Sequence, residues 1–117
     1  MRYAQMMVAS VETTRRAAYI DHCKIAGSVF KEYGALEIVE AWGADVPDGT
    51  LTSFPMAVKK AEGETVVASW IVWPSKAAAD AAWTKITEDP RMDPTTNPMP
   101  FDGKRLIFGG FDLILES

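Results

Sequence analysis

The chain has 117 residues, 48% of them hydrophobic, and a formal net charge of −4. This length and composition predict one folded domain over residues 1–117 and exclude a disordered chain. The acidic balance offers no basic face for nucleic acid, and no apolar stretch is long enough for a membrane helix. We expect neither nucleic acid nor a membrane as a partner. The N-terminus lacks a signal-peptide pattern, which predicts a cytoplasmic location.

The first half of the chain alternates between strand and helix patterns. A short apolar run predicts a strand over residues 2–9. Apolar side chains at helical spacing then predict a helix over residues 14–33. Gly34 follows this stripe, where a helix end favours a left-handed residue. The alternation in residues 35–43 predicts the second strand.

A loop rich in Pro, Gly and Asp comes next, followed by the most apolar strand pattern of the chain. Residues 54–60 form either a short helical turn started by Ser53 or an extended arm. Residues 65–73 (TVVASWIVW) are β-branched and aromatic, which predicts a strand covered on both faces. The Ala-rich stretch 76–88 predicts the second long helix.

The last quarter of the chain predicts an ordered loop and a final strand. Met99 and Phe101 give the proline-rich loop over residues 91–103 two apolar anchors. The strand follows at residues 104–115, and its central Gly109-Gly110 pair indicates either a bulge or a close backbone approach.

The predicted element order is β-α-β-β-α-β, which is typical of the ferredoxin-like α+β fold with a four-stranded antiparallel sheet and two helices on one face. The strands at 65–73 and 104–115 are apolar on both faces. A sheet face left bare by the helices would then expose a large apolar patch. A second copy of the chain would cover it, so we predict a homodimer of the dimeric α+β barrel type.

Four stretches of the sequence carry a family resemblance: KEYGALEIVEAWGADVPDG, SWIVWPSKAAADAA, DPRM and MPFDGKRLIFGGF. From Tyr3 to about Asp112 the chain resembles the YbaA-like proteins, a bacterial family of unknown function (domain of unknown function 1428). The resemblance implies a dimeric α+β barrel and implies no reaction. Relatives tend to carry Asp-Gly where this chain has Gln5-Met6. A carboxylate there would be able to act as a base, whereas Gln5 only donates and accepts hydrogen bonds.

Glu40 is the candidate catalytic residue because it shares a strand face with Trp42. If that face lines the lumen between two copies, burial raises the pKa of Glu40 and suits it to general base catalysis. The alternative is an ion pair with a basic neighbour such as Arg105. Strand tryptophans either pack the core and the dimer interface or line an aromatic pocket. The residues predicted to bind a ligand are Tyr3, Gln5, Trp42, Trp70, Arg105 and Phe108.

The other reactive side chains predict no further site. His22 and Cys23 are the single histidine and the single cysteine, and neighbours on a helix point about 100° apart. We predict His22 on the surface and Cys23 in the core, and we expect no metal site and no cofactor. Asp102 to Arg105 predict a turn with salt bridges because no phosphate-binding glycine pattern is present.

Two hypotheses for function remain open from the sequence. The first is a small-molecule-binding protein or cofactor-independent enzyme with its pocket in the dimer barrel. The second is a non-catalytic binding or structural dimer, for instance a stress-related or regulatory module.

Overall fold

The computed structural model describes all residues from 1 to 117 and shows one four-stranded antiparallel sheet. The strands are Tyr3–Glu12 (β1), Glu37–Trp42 (β2), Glu64–Trp73 (β3) and Ile107–Asp112 (β4), in the sheet order β2-β3-β1-β4. The helices are Arg16–Glu32 (α1), Phe54–Ala57 (α2) and Lys76–Ile86 (α3). This order confirms the ferredoxin-like α+β prediction. None of the helices is long and apolar enough to cross a bilayer.

The structure resolves the alternative for the segment that begins at Ser53. A short helix, α2, forms there, and the Ser53 hydroxyl caps it by accepting a hydrogen bond from the backbone N–H of Met56 at 3.1 Å. The Ser75 hydroxyl caps α3 in the same way through Ala78 at 3.1 Å. Both caps satisfy backbone donors that the first turn of a helix leaves free.

Element ends differ from the sequence prediction where tertiary pairing or tight turns intervene. β1 reaches Glu12 because it pairs with β3 as far as Glu64. The turn Thr13–Arg15 delays the start of α1, and the turn Gly103–Arg105 delays β4. Both turns are short 3-10 helices.

Two glycine predictions have clear outcomes. Gly34 has φ +110°, the left-handed backbone expected after a helix end. Gly110 pairs directly with Gln5 in a regular register, so β4 has no bulge there. A side chain at Gly110 would overlap the ring and hydroxyl of Tyr3, and the close approach is therefore the correct alternative.

The core lies between the sheet and the helices α1 and α3. One cluster joins Val29 of α1 to Trp73 of β3 and Ile86 of α3, all fully buried. A second cluster joins Val11 and Val67 to Tyr19 of α1. Strand side chains point alternately to the two faces, so the odd-numbered residues of β1 and β3 face the helices.

The opposite sheet face is apolar and open over its centre. Met6 pairs with Trp70 there, and Ile107 and Phe111 flank them on β4. Phe111 is 51% exposed although it is aromatic. We call the surface of Met6, Trp70, Ile107 and Phe111 the open sheet face. It matches the sequence prediction of a bare apolar face.

Candidate functional site

A cavity of about 300 Å³ lies between the sheet and the helices. Its floor comes from all four strands, its wall from α1 and α3, and its roof from residues 92–106. Most of its lining is apolar and includes Met7, Phe30, Ile71, Met92, Met99 and Phe101. An enclosed apolar space with a few polar groups is the usual form of a small-molecule site.

Glu40 lies where this cavity meets an open groove between α1 and β2. The residue keeps exposed surface because β2 is an edge strand. Its carboxylate nevertheless turns toward α1, and Oε2 accepts a hydrogen bond from the hydroxyl of buried Tyr19 at 2.7 Å. Glu40 therefore faces the helices of its own chain and not the open sheet face.

The surroundings shift the acid–base properties of three neighbouring groups. Partial desolvation raises the pKa of Glu40, although the hydrogen bond from Tyr19, the nearby Cys23 thiol and the nearby His22 oppose the rise. Desolvation and the Glu40 charge raise the pKa of Cys23 to about 12. Desolvation and the same carboxylate also raise the pKa of Tyr19. Thiol and phenol thus stay protonated at neutral pH.

The prediction of a surface position for His22 is wrong. His22 lines the cavity, with its Nδ1 3.0 Å from Oδ1 of Asn97 and its ring edge-on to Phe101. The roof segment folds over this side of α1, which the helix pattern by itself leaves facing outward. Cys23, predicted in the core, is only partly buried and also lines the cavity.

The structure brings some of the predicted ligand-binding residues together. Gln5, Phe108 and the candidate base Glu40 line the same cavity, and Trp42 lines the adjoining groove. Tyr3 lies beside them on the helix side, packed over Gly110 and against the core.

Trp70 and Arg105 lie outside the cavity. Trp70 belongs to the open sheet face because its neighbour Ile71 takes the cavity side. Arg105 binds Glu64 through two hydrogen bonds of 2.8 Å and does not pair with Glu40. The shared space between two copies stays a prediction, and the cavity described above lies inside one chain.

Sequence reasoning missed the roles of Tyr19, Asn97 and Phe101 at this site. The helical spacing indicates only a core position for Tyr19, because its hydroxyl partner lies on another element. Asn97 and Phe101 lie in the roof loop, whose path no local pattern specifies. No group of three or more His, Cys, Asp or Glu side chains is placed to hold a metal ion.

Comparisons with known proteins agree with this fold. The family described as "Protein of unknown function (DUF1428)" matches residues 2–103. The chain belongs to this family. It is 50% identical over 117 residues to "Uncharacterized protein YbaA" of Escherichia coli K12, with 100% of both chains covered. The same values hold for the YbaA proteins of E. coli O157:H7 and Shigella flexneri.

A solved structure shares the fold of this DUF1428 member at low sequence similarity. It is described as a dimeric ferredoxin-like protein from an uncultured marine organism. The TM-score is 0.63 at 10% identity, over 99% of this chain and 98% of that chain. The likeness shows the ferredoxin-like fold.

Proposed function

We propose that the internal cavity binds a small molecule and that Glu40 transfers a proton to or from it without a cofactor. The observation that carries the proposal is the position of Glu40: its carboxyl group lies at the cavity, partly desolvated, with Tyr19 as a neutral hydrogen-bond donor and the Cys23 thiol in the same lining. A raised pKa brings a carboxylate closer to the pH at which a general base works best. A proton taken from one atom and returned to another needs no oxidant or reductant.

A test of binding uses the methionine methyl groups as reporters. The chain has six Met residues, and Met7, Met92 and Met99 line the cavity. With ¹³C-methyl-labelled protein, small aromatic fragments are expected to shift these three signals. The signals of Met6 and Met56, which lie outside the cavity, serve as the internal control. Shifts confined to the outside methyl groups contradict a ligand site in the cavity.

A test of the chemistry compares two glutamates of the same strand. For a bound fragment that exchanges a proton with solvent D₂O, Glu40→Gln is expected to slow the catalysed exchange by about 100-fold or more. Glu37→Gln is the matched control because Glu37 points to the opposite face, where it accepts a hydrogen bond from Trp70. Equal exchange rates in the two variants contradict a catalytic role for Glu40.

The second candidate function is binding without catalysis. It is favoured by the fact that the Glu40 carboxylate already accepts a hydrogen bond from Tyr19 within its own chain. In that case fragments shift the methyl signals of the cavity methionines. The unmodified protein then catalyses no proton exchange of the fragment above the rate in solvent alone.

The proposal includes a homodimer formed through the open sheet face. Supporting it are the exposure of Phe111, Ile107 and Met6 on one surface and the description of the structural neighbour as dimeric. Phe111→Glu is expected to convert a dimer to a monomer in analytical ultracentrifugation, because a charge would be buried at the interface. Ile25→Glu on the exposed side of α1 is the control and should leave the mass unchanged. A Phe111→Glu protein that stays dimeric contradicts this interface.

A further inference from the structure

Gln5 is the single glutamine of the chain and lies on the cavity floor with only 8% of its surface exposed. Its side-chain oxygen accepts two hydrogen bonds, from the indole nitrogen of Trp73 at 2.8 Å and from that of Trp83 at 2.6 Å. The two indoles come from β3 and α3, so the amide is held from two different elements.

These contacts fix which way the amide points. An indole N–H is only a donor, so both tryptophans require the oxygen of Gln5 and not its nitrogen. The –NH₂ group must therefore point away from them. It has no hydrogen-bond partner within the protein, yet it keeps accessible surface. Because this donor keeps accessible surface and has no partner in the protein, it is free to donate to an acceptor on a bound molecule.

The charges of the cavity restrict what that molecule can be. Glu40, His22, Cys23 and Tyr19 are the ionisable side chains in its lining, and no Lys or Arg is among them. A carboxylate or phosphate would enter a mainly apolar space beside the Glu40 carboxylate with no Lys or Arg to pair with, which is unfavourable. The ligand should therefore be neutral.

The remaining lining indicates the body of the molecule. Aromatic and methionine side chains supply most of the apolar part of the lining, including Phe30, Phe101, Phe108, Met7, Met92 and Met99. Such side chains favour flat, polarisable rings. Glu40 of β2 pairs with Ser69 of β3, and Ser69 pairs with Met7 of β1. Gln5 lies two residues before Met7 along β1, so two strand spacings and two residues separate Gln5 from Glu40. Standard sheet spacings then place their Cα atoms about 12 Å apart, which leaves space for a fused bicyclic ring system.

We propose that the cavity takes a neutral cyclic ketone, whose carbonyl oxygen accepts a hydrogen bond from the Gln5 amide and whose rings lie among the aromatic and methionine side chains. This inference rests on the proposed function of the cavity and adds the chemical class of its ligand.

The experiment compares three probes of similar shape by ¹⁵N NMR on the full chain: 1-tetralone, tetralin, which lacks the carbonyl, and the anion 1-naphthoate. Gln5 and Asn97 are the only primary amides in the sequence, so their two –NH₂ pairs are resolved without crowding. The pair that disappears in Gln5→Glu belongs to Gln5. 1-Tetralone should shift this pair, and tetralin should bind about threefold to tenfold more weakly without shifting it in the same direction. 1-Naphthoate should bind more weakly still.

Gln5→Glu also tests the hydrogen bond directly. It keeps an oxygen acceptor for both indoles and nearly the same volume, and it removes the –NH₂ donor. The affinity for 1-tetralone should fall to that for tetralin. Equal affinities of the unmodified protein for 1-tetralone and tetralin would overturn the ketone assignment, while shifts of the cavity methionine methyls would still support a binding site. No response to 1-tetralone at millimolar concentration would overturn the inference as well, and the fragment test on the methionine methyl groups decides the proposed function separately.

Discussion

The ion pair between Arg105 and Glu64 offers the sharpest test of how the structure is held together. Arg105 donates two hydrogen bonds to the Glu64 carboxylate, both at 2.8 Å, and a third to the backbone oxygen of Lys59 at 3.0 Å. The two paired side chains are only 23% and 11% exposed. The pair joins the turn before β4 to the start of β3. We expect Arg105→Met to destabilise the protein because it removes this join.

The size of the effect follows from the pKa of the carboxyl group. Hydrogen bonds from Arg105, assisted by those from Ala61 and Ser10, lower the pKa of Glu64 to about 2. The value in an unfolded chain is about 4.3, and each unit corresponds to about 1.4 kcal/mol, which sets a ceiling of about 3 kcal/mol. Solvent near the guanidinium screens part of this, and we expect a loss of about 1–2 kcal/mol. For a chain of this length that lowers Tm by about 4–8 °C.

The contribution of Glu64 to the free energy of unfolding should change with pH. A carboxyl group with a lowered folded pKa binds fewer protons in the folded state than in the unfolded state, so its contribution is fully present above the unfolded pKa. The contribution is lost as pH falls from about 5 toward about 2. The difference in free energy of unfolding between the unmodified protein and Arg105→Met should therefore shrink over that window.

The assay is a double-mutant cycle of Arg105→Met and Glu64→Gln, with urea unfolding at pH 7 and at pH 3. A coupling free energy of about 1–2 kcal/mol at pH 7 that falls at pH 3 is the expected result. Lys76→Met is the control, since Lys76 and Asp80 form a solvent-exposed pair on α3, and exposed pairs contribute little to stability. A coupling energy near zero at pH 7, or one that does not change with pH, would refute the reasoning.

Two further predictions concern the site and the sheet. Tyr19→Phe removes the phenol that donates to Glu40, so the pKa of Glu40 should rise further in a ¹³C NMR titration of its carboxyl group; an unchanged pKa would show that the 2.7 Å hydrogen bond contributes nothing. Gly110→Ala should destabilise the protein by about 1–3 kcal/mol in thermal unfolding, because the added methyl group overlaps Tyr3. Gly109→Ala is its matched control, with the nearest contact a Phe111 ring atom at 3.3 Å, and a cost equal to that of Gly110→Ala would contradict the packing account.

Local patterns in the sequence were sufficient for the fold. The spacing of apolar residues predicts α1 and α3, and alternation predicts β2. The resulting β-α-β-β-α-β order leaves few topologies, because helices that follow strands pack on one face of the sheet. The apolar character of both faces of β3 predicts the open sheet face without any coordinates.

The position of the site depended on contacts that no local pattern contains. Because side chains alternate along a strand, Glu40 and Trp42 lie on one strand face. The alternation does not say whether that face meets the helices or a second copy. The hydrogen bond from Tyr19 decides this, and the roof over residues 92–106 brings His22 inward. Likewise, Gln5 is oriented by Trp73 and Trp83, which are 68 and 78 residues away in the chain.

The sequence by itself therefore determined the order of the elements and which residues share a face, since both follow from backbone periodicity. Only the tertiary structure decided which face is enclosed and which polar groups meet there. The physical reason is that hydrogen bonds such as Tyr19 to Glu40 and Trp83 to Gln5 form between elements distant in sequence. Their partners are chosen by how the helices pack on the sheet.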